Sequence, residues 1–294
     1  MKRIFNIFLL ISFLFLFIYL VRLDYIVPVV RNRAYLGISF LCLFAGFYAS
    51  TFSWKVALKS HGFSHRAREA IVSQGLSVFA KYIPGKIWVI LGRAGYLSDG
   101  NSELKHKSFV SLKEQLIYMW VGFLVSSVPT ILFYKFQWIS ILVWLIITTL
   151  TLFLFFEKIH IRILRMMGRI FKKELDIPLV KLSRSLPMIG AVALIWVCWT
   201  AGFYLFMGAF TQEITPVMMF AFPLSVCFGL IALILPGGIG LREGIIIGYL
   251  TLAGLDAETA TTISFLNRLW FICGEVFIFL LATGFRIAGG LEQN

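Results

Sequence analysis

The chain has 294 residues, of which 60% are hydrophobic and 14% are charged, and its mean hydropathy is +0.89. This composition excludes a soluble globular protein and predicts an all-α polytopic membrane protein. The formal net charge of +13 is then explained by cationic segments at a membrane surface, and nucleic-acid binding is not expected.

Apolar runs long enough to cross the hydrocarbon layer predict about six spanning helices. They cover residues 4–21, 35–57, 109–134, 138–156, 187–210 and 260–283. The first run follows Lys2 and Arg3 as in a signal peptide, but it is long and lacks an Ala-x-Ala cleavage site. We therefore predict that it is retained as the first helix.

Two further apolar segments, 70–97 and 217–253, are interrupted and predict broken helices. The second interruption reads Leu235-Pro236-Gly237-Gly238-Ile239-Gly240-Leu241-Arg242-Glu243-Gly244. Proline removes a backbone donor and glycine weakens a helix. In lipid, freed backbone groups need partners, so such a break is tolerated only inside protein or along a cavity. Transporters place substrate sites at breaks of this kind.

The first interruption has the same pattern. It reads Lys81-Tyr82-Ile83-Pro84-Gly85-Lys86-Ile87-Trp88, and an offset of 152 residues aligns Pro84 with Pro236. The same offset aligns the flanking apolar runs, so the sequence predicts two membrane repeats. They comprise residues 1–155 and 156–294 and form a single integrated membrane domain.

The charge distribution predicts the orientation of these repeats. If each broken segment is a re-entrant hairpin, each repeat crosses the membrane three times, and the second repeat is inverted relative to the first. With both termini in the cytoplasm, most lysine and arginine residues of the connecting segments lie on the cytoplasmic side, as the positive-inside rule requires. The alternative, in which both hairpins span the membrane fully, remains open.

Charged residues within the apolar segments predict an anionic ligand. The cations are Lys81, Lys86, Arg93, Lys113, Arg242 and Arg268, and the anions are Glu114, Glu243 and Glu275. Each charge costs about 2.5–3.5 kcal/mol at the centre of a membrane helix, so these residues must be paired, hydrated or close to an interface. Pairing leaves a positive surplus, which suits a phosphate or diphosphate headgroup.

Arg242 is the strongest candidate for binding that ligand, because it lies in the first turn of the predicted half-helix after the second break. A helix N-terminus is already positive, so a cation is favourable there when an anion is bound. Free N–H groups at the break would share the anion, which adds Gly237, Gly238 and Gly240 to the candidate site. The alternative is a structural pair of Glu243 with Arg242 or Arg268. Glu243 is expected to stabilise the helix start, and Arg268 to bind ligand.

The remaining cations have less specific predictions. Lys81 and Lys86 flank the break at Pro84 and Gly85, and they either bind ligand or extend to the cytoplasmic surface. Arg93 and Lys113 are expected at the membrane interface. The segment 157–186 places Lys158, Arg162, Arg165, Arg169 and Lys172 on one helical face. It predicts either an amphipathic helix on an anionic leaflet or a plain cationic loop.

The sequence contains no Ser-His-Asp set, Walker loop or nucleotide fingerprint. The four cysteines lie in apolar segments without metal-ligand spacing, so neither a disulfide nor a metal site is expected. We expect no cofactor and assign no catalytic residue. Asp256 and Glu258 resemble the acidic pair of a membrane glycosyltransferase, but Asp256 is better explained as the N-cap of the last helix.

The two interruptions resemble a known family. The 235–243 segment resembles the signature of the lysylphosphatidylglycerol synthase transmembrane region, also called the flippase-like domain family. Residues 81–88 resemble its first block, and Asn267-Arg268-Leu269 its late arginine. The resemblance extends from about residue 35 to residue 283.

This resemblance implies lipid handling in a prokaryotic inner membrane. In bifunctional members such a region moves an aminoacylated phospholipid between leaflets, and other members resemble components of surface-polysaccharide or lipid-linked glycan pathways. A soluble aminoacyl-transferring domain is absent from this sequence, so synthase activity is not expected. The expected function is a lipid flippase-like transporter that binds a phosphate headgroup. The alternatives are a transferase acting on a polyprenyl-phosphate substrate, and a scaffold that binds envelope-biosynthesis partners or a second copy of the chain.

Overall fold

The computed structural model describes residues 29–83, 87–134, 138–171, 182–232 and 235–290. The described residues form helices and connecting turns, without a β-strand. The α-helices are α1 (Arg33–Ser60), α2 (Ala67–Leu76), α3 (Ile87–Tyr96), α4 (Asn101–Tyr134), α5 (Trp138–Phe155), α6 (Glu157–Phe171), α7 (Leu182–Gly208), α8 (Ala221–Ile231), α9 (Leu241–Leu252) and α10 (Ala257–Gly290). Short 3-10 turns cover Val78–Tyr82, Pro216–Phe220 and Pro236–Gly238. The predicted helix at 4–21 lies outside the described residues.

Four helices in the described part of the chain are long and apolar enough to cross a membrane. They are Arg33–Ser60, Trp138–Phe155, Ser185–Gly208 and Ala257–Gly289. Each contains one of the predicted apolar runs, apart from one or two residues at a run's end. The predicted run at 109–134 lies in α4, whose first turns also carry several charges. The chain is therefore an all-α membrane protein, as its composition predicts.

Both interrupted segments consist of short arms. Helices α2 and α3 have 10 residues each, α8 has 11 and α9 has 12. Arms of this size are about 15–18 Å long, whereas the hydrocarbon layer is about 30 Å thick. At the second break, Gly237, Gly238 and Gly240 have φ angles of 59°, 72° and 85°. Residues with side chains rarely adopt this left-handed conformation. The glycines therefore allow the chain to turn between the end of α8 and the start of α9.

The packing joins the two halves of the chain. Helix α1 lies along α7, α2 packs against α10, and α8 packs against α4. Trp199 of α7 forms edge-to-face contacts with Phe47 of α1 and Phe271 of α10, with ring centroids 5.0 and 5.1 Å apart. Each broken segment therefore packs against a long helix from the other half, and the breaks meet in the interior.

Substituting Gly274 tests this close packing. A Cβ at Gly274 would lie 2.2 Å from Cε2 of Phe47, so we expect Gly274→Ala to destabilise the fold by about 1–3 kcal/mol. Gly284 lies on the same helix with no atom within 4 Å of the corresponding Cβ, which makes Gly284→Ala the matched control. Urea titration of both variants in detergent micelles measures the difference. Equal stability would contradict close packing of α10 on α1.

Candidate functional site

The two breaks meet at a contact between Tyr82 and Gly237. A Cβ at Gly237 would lie 2.8 Å from Cε1 of Tyr82 and 2.8 Å from Nη2 of Arg268, so glycine is required at this position. Helix α10 forms the third wall, where Arg268, Phe271 and Glu275 follow one another at helical spacing. The first break, the second break and α10 thus converge on one cluster of charged side chains.

Glu275 is the acidic centre of this cluster and is 1% exposed. Its Oε1 accepts a hydrogen bond from Nζ of Lys81 in an ion pair, and its Oε2 accepts one from the Tyr82 hydroxyl at 2.8 Å. The ammonium nitrogen of Lys81 also lies 5.0 Å from the centroid of the Phe271 ring. Lys81 therefore points into the protein, and the alternative in which it extends to the membrane surface is wrong.

Arg268 connects α10 to the second break. Its Nη1 donates to the carbonyl oxygen of Gly237 at 3.1 Å and lies 3.5 Å from Oε1 of Glu243. The other carboxylate oxygen of Glu243, Oε2, accepts from the backbone N–H of Gly240 at 2.7 Å. Glu243 thus caps the first turn of α9, as the sequence predicts, and forms one of the two structural pairs considered for it.

Arg242, the second residue of α9, is buried in the same cluster and forms no ion pair with any described residue. Its guanidinium carbon lies 5.1 Å from the centroid of Phe271, a cation–π contact. Its stem occupies space left by two glycines, since a Cβ would lie 2.6 Å from Cγ of Arg242 if added at Gly229, and 3.1 Å if added at Gly238. Among the described residues, none hydrogen-bonds to its Nη2. A buried, unpaired guanidinium group can bind an anion.

The pairing of intramembrane charges locates the positive surplus. Each of the three acids pairs with one cation: Glu275 with Lys81, Glu243 with Arg268, and Glu114 with Arg93. Of the six intramembrane cations, those that are described and lack an ion pair to a described residue are Arg242, in the cluster, and Lys113, in a separate cavity. Lys86, Pro84 and Gly85 lie outside the described residues.

The sequence profile of the lysylphosphatidylglycerol synthase TM region matches residues 3–280. The chain belongs to this family. No curated protein matches the chain. Membership in the lysylphosphatidylglycerol synthase TM region family identifies an integral membrane protein connected with lipid or envelope biosynthesis.

Arg93 is a buried residue in this member of the lysylphosphatidylglycerol synthase TM region family. Its side chain is 3% exposed and is enclosed by protein. It lies 2.5 Å from the carboxylate of Glu114 and donates to the side chain and the carbonyl of Ser111. Residues of the surrounding helices accept hydrogen bonds from all three guanidinium nitrogens of Arg93. We therefore interpret Arg93 as a structural residue.

Tyr82 and Phe271 also belong to the site, although no sequence motif had marked them as candidates. Tyr82 lies inside the first motif. Phe271 follows Arg268 by three residues on α10, so the side chains of Arg268 and Phe271 lie on the same face of that helix. Helical spacing from Arg268 could have identified Phe271. Only the tertiary contact between the breaks reveals the role of Tyr82.

The remaining candidates lie outside the charged cluster. Oδ1 of Asp256 accepts from the backbone N–H of Thr259 at 2.8 Å, so Asp256 is the N-cap of α10. Hydrogen bonds from Thr259 hold the pKa of Asp256 below its ordinary value. The basic segment after α5 forms a helix, α6, in which Lys158, Arg162 and Arg165 are exposed. Lys172 lies outside the described residues.

Proposed function

We propose that this chain is a lipid flippase-like transporter that moves an anionic-headgroup or polyprenyl-phosphate-linked lipid between leaflets. The observation that carries the proposal is Arg242, a buried guanidinium group that is unpaired within the described structure. It lies at the start of a half-helix, beside the contact between the two breaks. A phosphate oxygen would accept from Nη2 of Arg242 and benefit from the positive end of α9. The acyl or prenyl chains would remain in the bilayer.

The proposed mechanism requires that the two breaks face opposite leaflets. Three features support inverted repeats: the half-length arms, the recurring order of a long helix, a broken pair and a long helix, and the exchange of packing partners between halves. With both termini in the cytoplasm of a prokaryotic cell, the cluster would lie near the bilayer centre, reachable from either side in turn. Movement would follow a lipid or ion gradient, because the sequence contains no nucleotide-binding motif.

Each residue at the site would make a separate contact with the lipid headgroup. Arg242 would hold the phosphate, while Arg268 and Lys81 could exchange their glutamate partners for phosphate oxygens as the headgroup passes. Lys86, in the first motif, remains a predicted contributor. Gly237 would present its backbone N–H group to the headgroup. The prediction that free N–H groups of Gly238 and Gly240 share the anion is wrong, because these groups already donate to the carbonyl oxygen of Leu235 and to Oε2 of Glu243. Every one of these contacts is to phosphate, so the proposal specifies a lipid class and leaves the rest of the headgroup open.

Replacing Arg242 tests this function. In proteoliposomes containing fluorescent phosphatidylglycerol, we expect Arg242→Met to reduce transfer between leaflets by about two orders of magnitude, the effect of losing one buried charge partner. Methionine keeps the apolar stem beside Gly229 and removes an unpaired charge, so folding is expected to survive. Arg162→Met on the exposed face of α6 is the matched control and should transfer lipid at the wild-type rate.

The same assay can reject the proposal. Wild-type transfer by Arg242→Met would remove Arg242 from the mechanism. Equal loss in both variants would assign the effect to overall charge instead of to the site. Conversion of the labelled lipid to a new product by the wild-type chain would indicate a transferase.

A further inference from the structure

A second unpaired cation lies away from the two breaks. Lys113 of α4 is 7% exposed, and its Nζ has no hydrogen-bond partner among the described residues. The adjacent Glu114 does not neutralise it, because that carboxylate pairs with Arg93. A buried ammonium group without an anion is unfavourable, so the position favours binding of an anion from outside the chain. Lys113, which the sequence predicts at the membrane interface, is thus enclosed by protein.

The side chains around Lys113 suit an amphipathic ligand. Its cavity lies at the junction of α4 with the end of α5 and the start of α6, and it is lined by Phe109, Leu112, Leu116, Phe153, Leu154 and His160. His160 packs on Phe153 with ring centroids 4.7 Å apart, and its Nδ1 is 3.0 Å from that residue's carbonyl oxygen. One cation within a mostly apolar lining fits a ligand with both an anionic group and a hydrocarbon chain.

Helix α6 adds a basic surface next to this cavity. Its Lys158, Arg162 and Arg165 are exposed, and so are the apolar side chains of Ile161 and Met166. A helix with exposed cations and exposed apolar groups lies at the surface of an anionic leaflet. Lipid phosphates would therefore be concentrated beside Lys113. Free phosphate would gain nothing from the apolar lining, which favours a lipid over a soluble anion.

We propose that Lys113 binds the phosphate of an anionic phospholipid at the junction of α4, α5 and α6. The phosphate accepts from Nζ at the mouth of the cavity, which the flexible lysine stem can reach. The hydrocarbon next to the phosphate contacts the apolar lining, and the rest of the acyl chain lies in the bilayer. This site is separate from the proposed transport site, because it involves none of the residues at the breaks. The bound lipid is retained and holds α6 against α4 and α5.

The test measures how much phosphatidylglycerol stabilises the full chain in nanodiscs of phosphatidylcholine. All chains carry Arg242→Met, so that the proposed transport site is weakened equally in every variant compared. We expect Lys113→Met to weaken the apparent affinity for phosphatidylglycerol about tenfold to a hundredfold, the value of one charge-assisted hydrogen bond. Lys113→Arg should retain binding. Lys59→Met, which removes an exposed lysine at the end of α1, is the charge-matched control and should also retain it.

Two further measurements separate this site from the alternatives. In dodecyl maltoside micelles, which contain no phosphate, Lys113→Met should unfold at a higher temperature than its parent, because it removes an unpaired buried charge. A lower unfolding temperature would overturn the proposal, as would unchanged affinity for phosphatidylglycerol. Equal stabilisation of the parent by inorganic phosphate would also overturn it, since the site would then bind a free anion.

Discussion

Replacing Glu114 with alanine is expected to lower the free energy of unfolding by about 3–5 kcal/mol, the cost of leaving a buried charge without its partner. Arg93 and Glu114 are 3% and 6% exposed, and their side chains approach to 2.5 Å. The Ser53 hydroxyl donates to Glu114 at 2.7 Å, and the guanidinium carbon of Arg93 lies 4.4 Å from the centroid of the Trp54 ring. Without the carboxylate, Arg93 keeps only neutral partners.

A second glutamate on α4 provides the control for this prediction. Glu103 also pairs with a lysine, Lys107, at 2.8 Å, but its side chain is 47% exposed. The Glu103 carboxylate is screened by solvent, and the buried ammonium group of Lys107 also donates to the carbonyl oxygen of Leu97. Glu103→Ala should therefore change stability much less than Glu114→Ala. Urea titration in detergent micelles measures both. Lipid transfer per folded molecule should stay at the wild-type level in both variants, and a selective loss of transfer in Glu114→Ala would assign Arg93 to the transport site.

Local chemistry made the breaks predictable from the sequence. Pro236 and the glycines after it cannot continue a membrane helix, and the structure has a turn with left-handed glycines at that point. The long helices follow from apolar length, and the cap at Asp256 follows from its position before a helix. Each of these features depends on residues within one or two helical turns.

The partners of the intramembrane charges could not be predicted in the same way. Lys81 and Glu275 are 194 residues apart, and Arg268 and Gly237 are 31 apart, so their contacts depend on how the helices pack. Charge counting predicted a positive surplus, but it could not distinguish paired Arg93 from unpaired Arg242. Burial of Arg93 and Lys113 likewise depends on neighbouring helices. The periodicity of apolar residues does not show which helix faces are buried, because lipid-facing and protein-facing positions are both apolar.

The ion pair between Lys81 and Glu275 allows stability and transport to be separated. Glu275→Leu alone is expected to destabilise the protein by about 3–5 kcal/mol, because Lys81 would lie unpaired against Phe271. Replacing both partners, as Lys81→Met with Glu275→Leu, removes the isolated charge. Tyr82→Phe removes the hydroxyl that would otherwise lose its acceptor. Buried ion pairs are often replaced by apolar side chains without loss of stability, so the triple variant should recover most of it.

Lipid transfer then distinguishes a structural pair from a functional one. If Lys81 exchanges Glu275 for a lipid phosphate during transport, the triple variant should fold but transfer lipid at least about tenfold more slowly, as expected for the loss of one charged contact. The Arg242 site would remain intact in this variant, so the slowing would report on Lys81 and its neighbours. Wild-type transfer by a stable triple variant would restrict Lys81, Tyr82 and Glu275 to holding the first break against α10. Phosphate recognition would then depend on the second break, and Lys86 would be the remaining candidate from the first motif.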